Sequence, residues 1–303
     1  MKSARSKTRQ TIYAAIAGNL LVAITKFCAA FWTGSSAMLS EGIHSIVDTG
    51  NQVLLLYGEH RATRPADSLH PFGHGREIYF WSFVVALLLF SGGAGLSIYE
   101  GVTHILSPTP PRDPYVNYIV LGLSFAFEGV SWWIALKNFQ PSMKGRSYWE
   151  AIRRSKDPPT FIVLLEDTAA LIGLIIAFAG TSLAAYFELA ILDGIASIAI
   201  GLVLASVSVI LARESKSLLM GEPASSAFIA ALRGAVEAES TIKRLIDIWT
   251  VHVGPSRIVA TLRIELESGA SAAGIVDSVQ RLEERAKAAF DGDVVISLKP
   301  VKT

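Results

Sequence analysis

Cysteine is nearly absent: Cys28 stands alone in a chain of 303 residues. That excludes an intrachain disulfide framework, a four-cysteine zinc site and an iron–sulfur cluster. Charge is scarce as well. Charged residues make up 17% of the chain, against about 25% in ordinary soluble proteins. The net charge of +1 argues against nucleic acid as a partner, because such binding works by neutralising phosphates. A Gly-x-x-x-x-Gly-Lys loop is missing, which argues against an ATP-driven pump within this chain.

What the chain has in quantity is apolar surface. Hydrophobic residues reach 51% and the mean hydropathy is +0.43. In water such a chain would expose too much apolar area, so a lipid bilayer is its expected solvent and partner. Apolar spans run over roughly 12–33, 36–58, 79–106, 114–138, 160–184 and 187–211. Each is long enough for the ~20 residues that a helix needs to cross the hydrocarbon core. The first is too long for a cleaved signal peptide, and the second follows almost at once across Thr33-Gly34-Ser35. Basic residues gather in alternate connections. Lys2, Arg5, Lys7 and Arg9 precede span 1. Arg61, Arg64 and Arg76 separate spans 2 and 3. Lys144, Arg146, Arg153, Arg154 and Lys156 separate spans 4 and 5, and Arg213 and Lys216 come late. Arg112 is the exception. The positive-inside rule puts both termini in the cytoplasm, for a multi-pass protein of the cell membrane.

Several ionisable residues interrupt these spans. In span 2, Glu41, His44, Asp48 and Gln52 fall within about 80° of one another on a helix. His44 and Asp48 are one turn apart, and an imidazole with a carboxylate at that spacing is half of a divalent cation site. A polar seam joining helices is the plainer role for such residues, but four on one stripe favour an ion site. In span 5, Glu166 and Asp167 are adjacent and point about 100° apart, so both reach one site only if the helix widens locally or a side chain bends. A salt bridge to Lys26, or protonation in place, is the alternative for one of them. Glu128 in span 4 suits a ligand, a proton carrier or a packed acid equally. Asp193 reads as structural, and Lys26 as a side chain that snorkels to the outer surface. Asp157 and Pro158 form a helix start for span 5.

Between spans 2 and 3, Asp67, His70 and His74 form an Asp-x-x-His-x-x-x-His set. Two imidazoles and a carboxylate at this spacing can bind zinc or a similar ion on the cytoplasmic side. After Gly221-Glu222-Pro223 the pattern changes. A helix is expected over 225–238, strands over 246–253 and 258–267, a charged amphipathic helix over 271–290 and a last strand over 294–298. That order, αββαβ, makes a small α+β domain of about 80 residues. The expected organisation is an all-α six-helix transmembrane domain over 1–220, followed by a cytoplasmic domain over 221–303.

These residues resemble the cation diffusion facilitator family. The likeness rests on His44-x-x-x-Asp48, on Asp167, on the loop set within His-Pro-Phe-Gly-His-Gly and on the Gly-Pro turn of the tail. The Leu-Leu-Glu-Asp-Thr-Ala-Ala stretch is similar to the branch that contains an animal mitochondrial zinc transporter. The resemblance implies a secondary active transporter, not an enzyme. It implies a ferredoxin-like tail, a homodimer, and exchange of cytoplasmic divalent metal, zinc by preference, for protons, with no cofactor beyond the transported ion. It also implies a four-ligand transport site from spans 2 and 5 and a second site in the loop. The implied metal residues are His44, Asp48, Asp167, Asp67, His70 and His74, with Glu166 the best candidate for a fourth transport ligand. Two features depart from the family pattern. Val163 stands where span 5 usually carries histidine, so the fourth ligand falls to Glu166, Glu128 or water; Leu262, Ser297 and Lys299 stand at expected tail ligand positions. A carboxylate-rich site leaves manganese, iron(II) or cobalt open. A membrane metal sensor or scaffold is the second reading, and an ion channel the third.

Overall fold

The computed structural model describes residues 19–109, 113–143, 145–290 and 292–301. The start of span 1, the basic residues before it, Arg112 and Lys144 lie outside the described residues. By packing, the chain divides into two units. One holds the residues up to Gly58 and Trp81–Ser215; the other holds Glu59–Phe80 and the chain from Lys216 onward.

The first unit is helical. Its elements are α1 (Asn19–Thr33), α2 (Ser36–Ala62), α3 (Glu77–Leu106), α4 (Pro114–Met143), α5 (Tyr148–Arg154), α6 (Pro158–Phe187) and α7 (Ile191–Met220), with the ends of α2, α3 and α7 passing into the second unit. Among the described residues, α3, α4, α6 and α7 are long and apolar enough to cross a membrane. The described part of α1 is shorter. Helix α2 has the length but carries Glu41, His44, Asp48, Asn51 and Gln52 on its buried side or beside it. Phe31, Ile119, Phe127, Trp133, Ile175 and Tyr186 are all exposed on the outside of the unit, an arrangement that suits lipid and not water.

Helix ends follow local chemistry. The carboxylate of Asp193 on α7 accepts from the Ser36 N–H at 2.5 Å, the Ala37 N–H at 3.2 Å and the Ser35 hydroxyl at 2.8 Å. It thereby closes the N-terminus of α2, where unpaired N–H groups and the helix dipole favour a negative charge. Asp157 precedes Pro158 at the start of α6, and it accepts from the Thr160 hydroxyl at 2.6 Å in place of a backbone N–H. Helix α3 is continuous but π-wound over Leu89–Gly95, a Leu-Phe-Ser-Gly-Gly-Ala-Gly stretch. Small residues there leave room for the wider turn. Helix α6 stays a regular α-helix through Glu166 and Asp167, so the local widening expected there is absent. Helix α5 was not foreseen; Ser147 caps it by accepting from the Glu150 N–H.

The second unit contains α8 (Ser226–Glu237), β1 (Ile242–Gly254), β2 (Arg257–Leu266), α9 (Ala272–Ala289) and β3 (Asp293–Pro300). The sheet order is β1-β2-β3, with β1 and β2 antiparallel and β2 and β3 parallel. Ile258, Ala260, Leu262 and Ile264 alternate to one face of β2, where Phe228, Leu232 and Val236 of α8 and Leu282 and Ala286 of α9 cover them. Leu262 is therefore core. On the opposite face Arg263 and Lys299, paired in register, lie over the Trp249 ring at 5.3 and 5.8 Å. His252 is buried, with its Nδ1 3.4 Å from Gly254 O, as suits an ordinary strand residue.

Segment 59–80 packs onto this domain. Arg257 binds Asp293 through Nη2 at 2.6 Å and donates from Nη1 to Phe72 O at 2.9 Å. Gly75 lies against the β1–β2 turn, where an added Cβ would meet Val253 O at 2.6 Å; any side chain there would push the loop away.

Candidate metal centres

The loop centre is the simpler of the two. Asp67 Oδ1 accepts from the backbone N–H groups of Leu69 at 2.9 Å and His70 at 2.7 Å, which folds the chain into a tight turn. The same carboxylate lies 3.2 Å from His70 Nδ1 and 3.5 Å from His74 Nε2. The imidazole rings are 4.2 Å apart, and one ligand atom from each of Asp67, His70 and His74 lies within 4.8 Å of the others. Among the described residues it is the only group of three or more such side chains that meets this distance. His74 Nδ1 is 3.2 Å from Pro65 O. If Nδ1 carries the proton it donates there and frees Nε2 as a ligand, the usual arrangement behind a metal-bound histidine. Asp67 and His70 are exposed and His74 is buried. The His70 backbone N–H, chiefly, holds the Asp67 carboxyl below the usual carboxylate range. The donor set fits a divalent ion open to water on one side.

The helical centre is buried. His44 and Asp48 of α2 are 1% and 6% exposed, and Glu166 and Asp167 of α6 are 3% and 4%. His44 Nε2 lies 3.5 Å from Asp48 Oδ2, one turn along the helix as expected. Both ring nitrogens of His44 and Asp48 Oδ1 are buried without a hydrogen-bond partner. Orphaned polar atoms at such depth are costly, and a cation that takes them as ligands removes the cost. Glu166 Oε1 accepts from Asn51 Nδ2 at 2.8 Å, and Asp167 Oδ2 accepts from the Ser131 hydroxyl of α4 at 2.8 Å. Both carboxylates interact electrostatically with Asp48. Glu166 thus leans toward α2 without any distortion of α6.

Three expectations need correction or addition. Lys26 does not snorkel: it is 0% exposed and its ammonium lies 3.1 Å from Glu41, 2.8 Å from Ser45 and 3.8 Å from Glu128. Two helices, α2 and α4, supply those partners, and the charges of Glu41 and Glu128 outweigh the pull of the surface. Glu128 accordingly faces a lysine, and neither Glu166 nor Asp167 pairs with one. Asn51 and Ser131 were missed as partners of the acids. A signal existed, since Asn51 follows Asp48 by three residues and Ser131 follows Glu128 by three, each one turn along a polar face.

Buried acids and a histidine with unpartnered ligand atoms, set among four helices long and apolar enough to cross a membrane, are the features of a membrane protein suited to cations. The family model for the cation efflux transmembrane domain matches residues 12–220; the chain belongs to the cation diffusion facilitator family. It is 31% identical over 251 residues to the mouse protein named proton-coupled zinc antiporter SLC30A9, mitochondrial, covering 82% of this chain and 44% of that one. It is 31% identical to metal tolerance protein C4 of Arabidopsis thaliana, covering 82% and 55%. It is 32% identical over 149 residues to the cation-efflux pump FieF of Escherichia coli O139:H28, covering 49% and 47%. The chain thus spans about half the length of these curated relatives.

Proposed function

We propose that this protein carries a divalent metal ion, zinc by preference, out of the cytoplasm in exchange for protons. The reading rests on one observation above all: His44 and Asp48 present buried, unpartnered ligand atoms on α2, and α6 brings Glu166 and Asp167 into the electrostatic range of Asp48. His44, Asp48 and Asp167 are the core ligands of the cargo, and Glu166 is the fourth. The relatives named for zinc antiport and cation efflux support the same chemistry. Metal needs a neutral imidazole and ionised carboxylates, and protons compete for the same atoms. Exchange of the two follows from that competition, with His44 as the group suited to change charge near neutral pH.

In this reading six helices span the bilayer and both termini face the cytoplasm. Residues 221–303 form a ferredoxin-like domain through which two copies associate, and the loop centre of Asp67, His70 and His74 binds a further metal ion. No cofactor beyond the transported ion takes part. Basic residues support a cell-membrane orientation; relatives named mitochondrial make an organellar inner membrane the alternative setting. The carboxylate excess keeps manganese, iron(II) and cobalt as competing cargoes. A sensor or scaffold that binds metal without moving it is the second reading, favoured by Val163 at the missing histidine position and by Leu262 in the tail core. Metal uptake into sealed proteoliposomes, with and without a pH gradient, decides. Gradient-dependent zinc flux supports transport, binding without flux supports the scaffold, and flux indifferent to protons overturns the exchange.

A further inference from the structure

A fully buried lysine needs a reason. Lys26 of α1 is 0% exposed, although a long apolar stem would let its ammonium reach the membrane surface at lower cost. Inside the bundle it donates to Glu41 Oε2 at 3.1 Å and to the Ser45 hydroxyl at 2.8 Å, with Glu128 Oε1 at 3.8 Å. Glu41 is also 0% exposed, and its other oxygen has no hydrogen-bond partner. Gly173 of α6 leaves the space for that oxygen; an added Cβ would collide with it. Four helices therefore converge on one small group of charges.

The group is threaded through the metal centre. Glu41 precedes His44 by three residues and Ser45 follows it directly, while Glu128 precedes Ser131, the partner of Asp167, by three. Lys26, Glu41 and Glu128 all act electrostatically on His44 and on Asp48. Glu41, Asp48, Glu128, Glu166 and Asp167 crowd carboxylates around a path meant for one divalent ion. Unopposed, Glu41 and Glu128 would themselves offer oxygens to a cation.

We infer that Lys26 is a positioning residue that sets the charge of the metal centre: its ammonium occupies the Glu41–Glu128 pair as a tethered counter-cation, so that His44, Asp48, Glu166 and Asp167 alone are offered to the transported ion. The inference rests on the transport reading above. It differs from a purely structural clamp between α1, α2 and α4, because it makes metal affinity follow the sum of charges and not the presence of the salt bridge. Removing the ammonium deepens the negative field at the centre, strengthening divalent binding about tenfold and slowing release. Removing Glu41 together with Lys26 breaks the bridge entirely yet restores the net charge.

The test uses the full-length protein in proteoliposomes, with zinc as the probe. Lys26→Met is expected to bind zinc about tenfold more tightly, with KM and turnover both lowered. Lys26→Met/Glu41→Gln is expected to return affinity, KM and turnover to within about threefold of the parent. Glu41→Gln alone shifts affinity the other way, about tenfold weaker, and decides the matter if Lys26→Met does not fold. A double variant as impaired as the single one, or unchanged zinc affinity in Lys26→Met or Glu41→Gln, overturns the inference and leaves the clamp. Asp48→Ala is run in parallel. If Asp48→Ala loses zinc while Lys26→Met binds as the parent does, the inference alone fails; a parent protein that binds no zinc overturns both it and the transport reading.

Discussion

Asp67, His70 and His74 bring three ligand atoms within 4.8 Å of one another, whereas the acids of α6 are each engaged by a neighbour, Glu166 by Asn51 and Asp167 by Ser131. The loop centre is assembled before any ion arrives. Its geometry comes from a tight turn and a carbonyl behind His74, and Asp67 and His70 are open to solvent. The helical centre draws on separate helices: Glu166 of α6 is met by Asn51 of α2 and Asp167 by Ser131 of α4, while His44 and Asp48 of α2 keep unpartnered atoms. A preassembled ligand set favours retention of an ion, whereas acids such as Glu166 and Asp167 can return to their own partners when an ion leaves. That difference is what a carrier requires of its cargo site, since an ion bound too firmly is not released.

Breaking the helical side should have the largest effect. Asp48→Ala is expected to abolish metal flux in proteoliposomes, by about a hundredfold or more, while the protein still inserts and purifies as a single species. Normal flux would remove α2 from the centre. Next comes the partition between two acids. Glu166→Gln is expected to weaken zinc binding by about a hundredfold, through loss of a ligand and a charge, and Glu128→Gln by about tenfold, through loss of a charge alone. Titration of both purified variants checks this, and equal losses would hand the fourth ligand to α4 or to water. On the loop side, His70→Ala/His74→Ala is expected to lose one bound metal ion per protomer and to retain residual flux, read by metal analysis and transport together. Complete loss of flux in a folded protein would make the two centres one pathway.

The smallest effect concerns the tail, whose stability has no metal in this account. Glu239 is buried, and hydrogen bonding from Arg281, at 2.7 Å, holds its carboxyl below the usual range. Such a group contributes stability that is complete above the ordinary glutamate value and is lost as pH falls through the depressed one. Glu239→Gln should cost about 1 kcal/mol at neutral pH, discounted because the guanidinium is half exposed, and nothing once the parent carboxyl is protonated. Urea unfolding at two pH values, in chelator, measures it.

How much of this was legible depends on whether partners share an element. His44 and Asp48 lie on one helix, and Asp67, His70 and His74 in one loop, so spacing alone exposed them. Ile258, Ala260, Leu262 and Ile264 alternate within one strand, and the core face of the sheet followed. Lys26 failed the same reading because Glu41 and Glu128 belong to other helices, and periodicity is silent about which helices meet. For Glu166 the choice between a widened helix and a bent side chain stayed open, because nothing in the sequence pairs it with Asn51. The π turns lie at Leu89–Gly95 instead, where Ser-Gly-Gly-Ala-Gly was visible but had no ionisable residue to attract notice.

The central claim is that His44, Asp48, Glu166 and Asp167 trade a divalent ion for protons. Zinc and proton fluxes recorded together in proteoliposomes, for the parent and for Asp48→Ala, test it most directly. The account predicts zinc entry accompanied by proton movement in the opposite direction, both absent in the variant. Zinc flux that persists in Asp48→Ala, or that proceeds with no opposing proton movement in the parent, would contradict it.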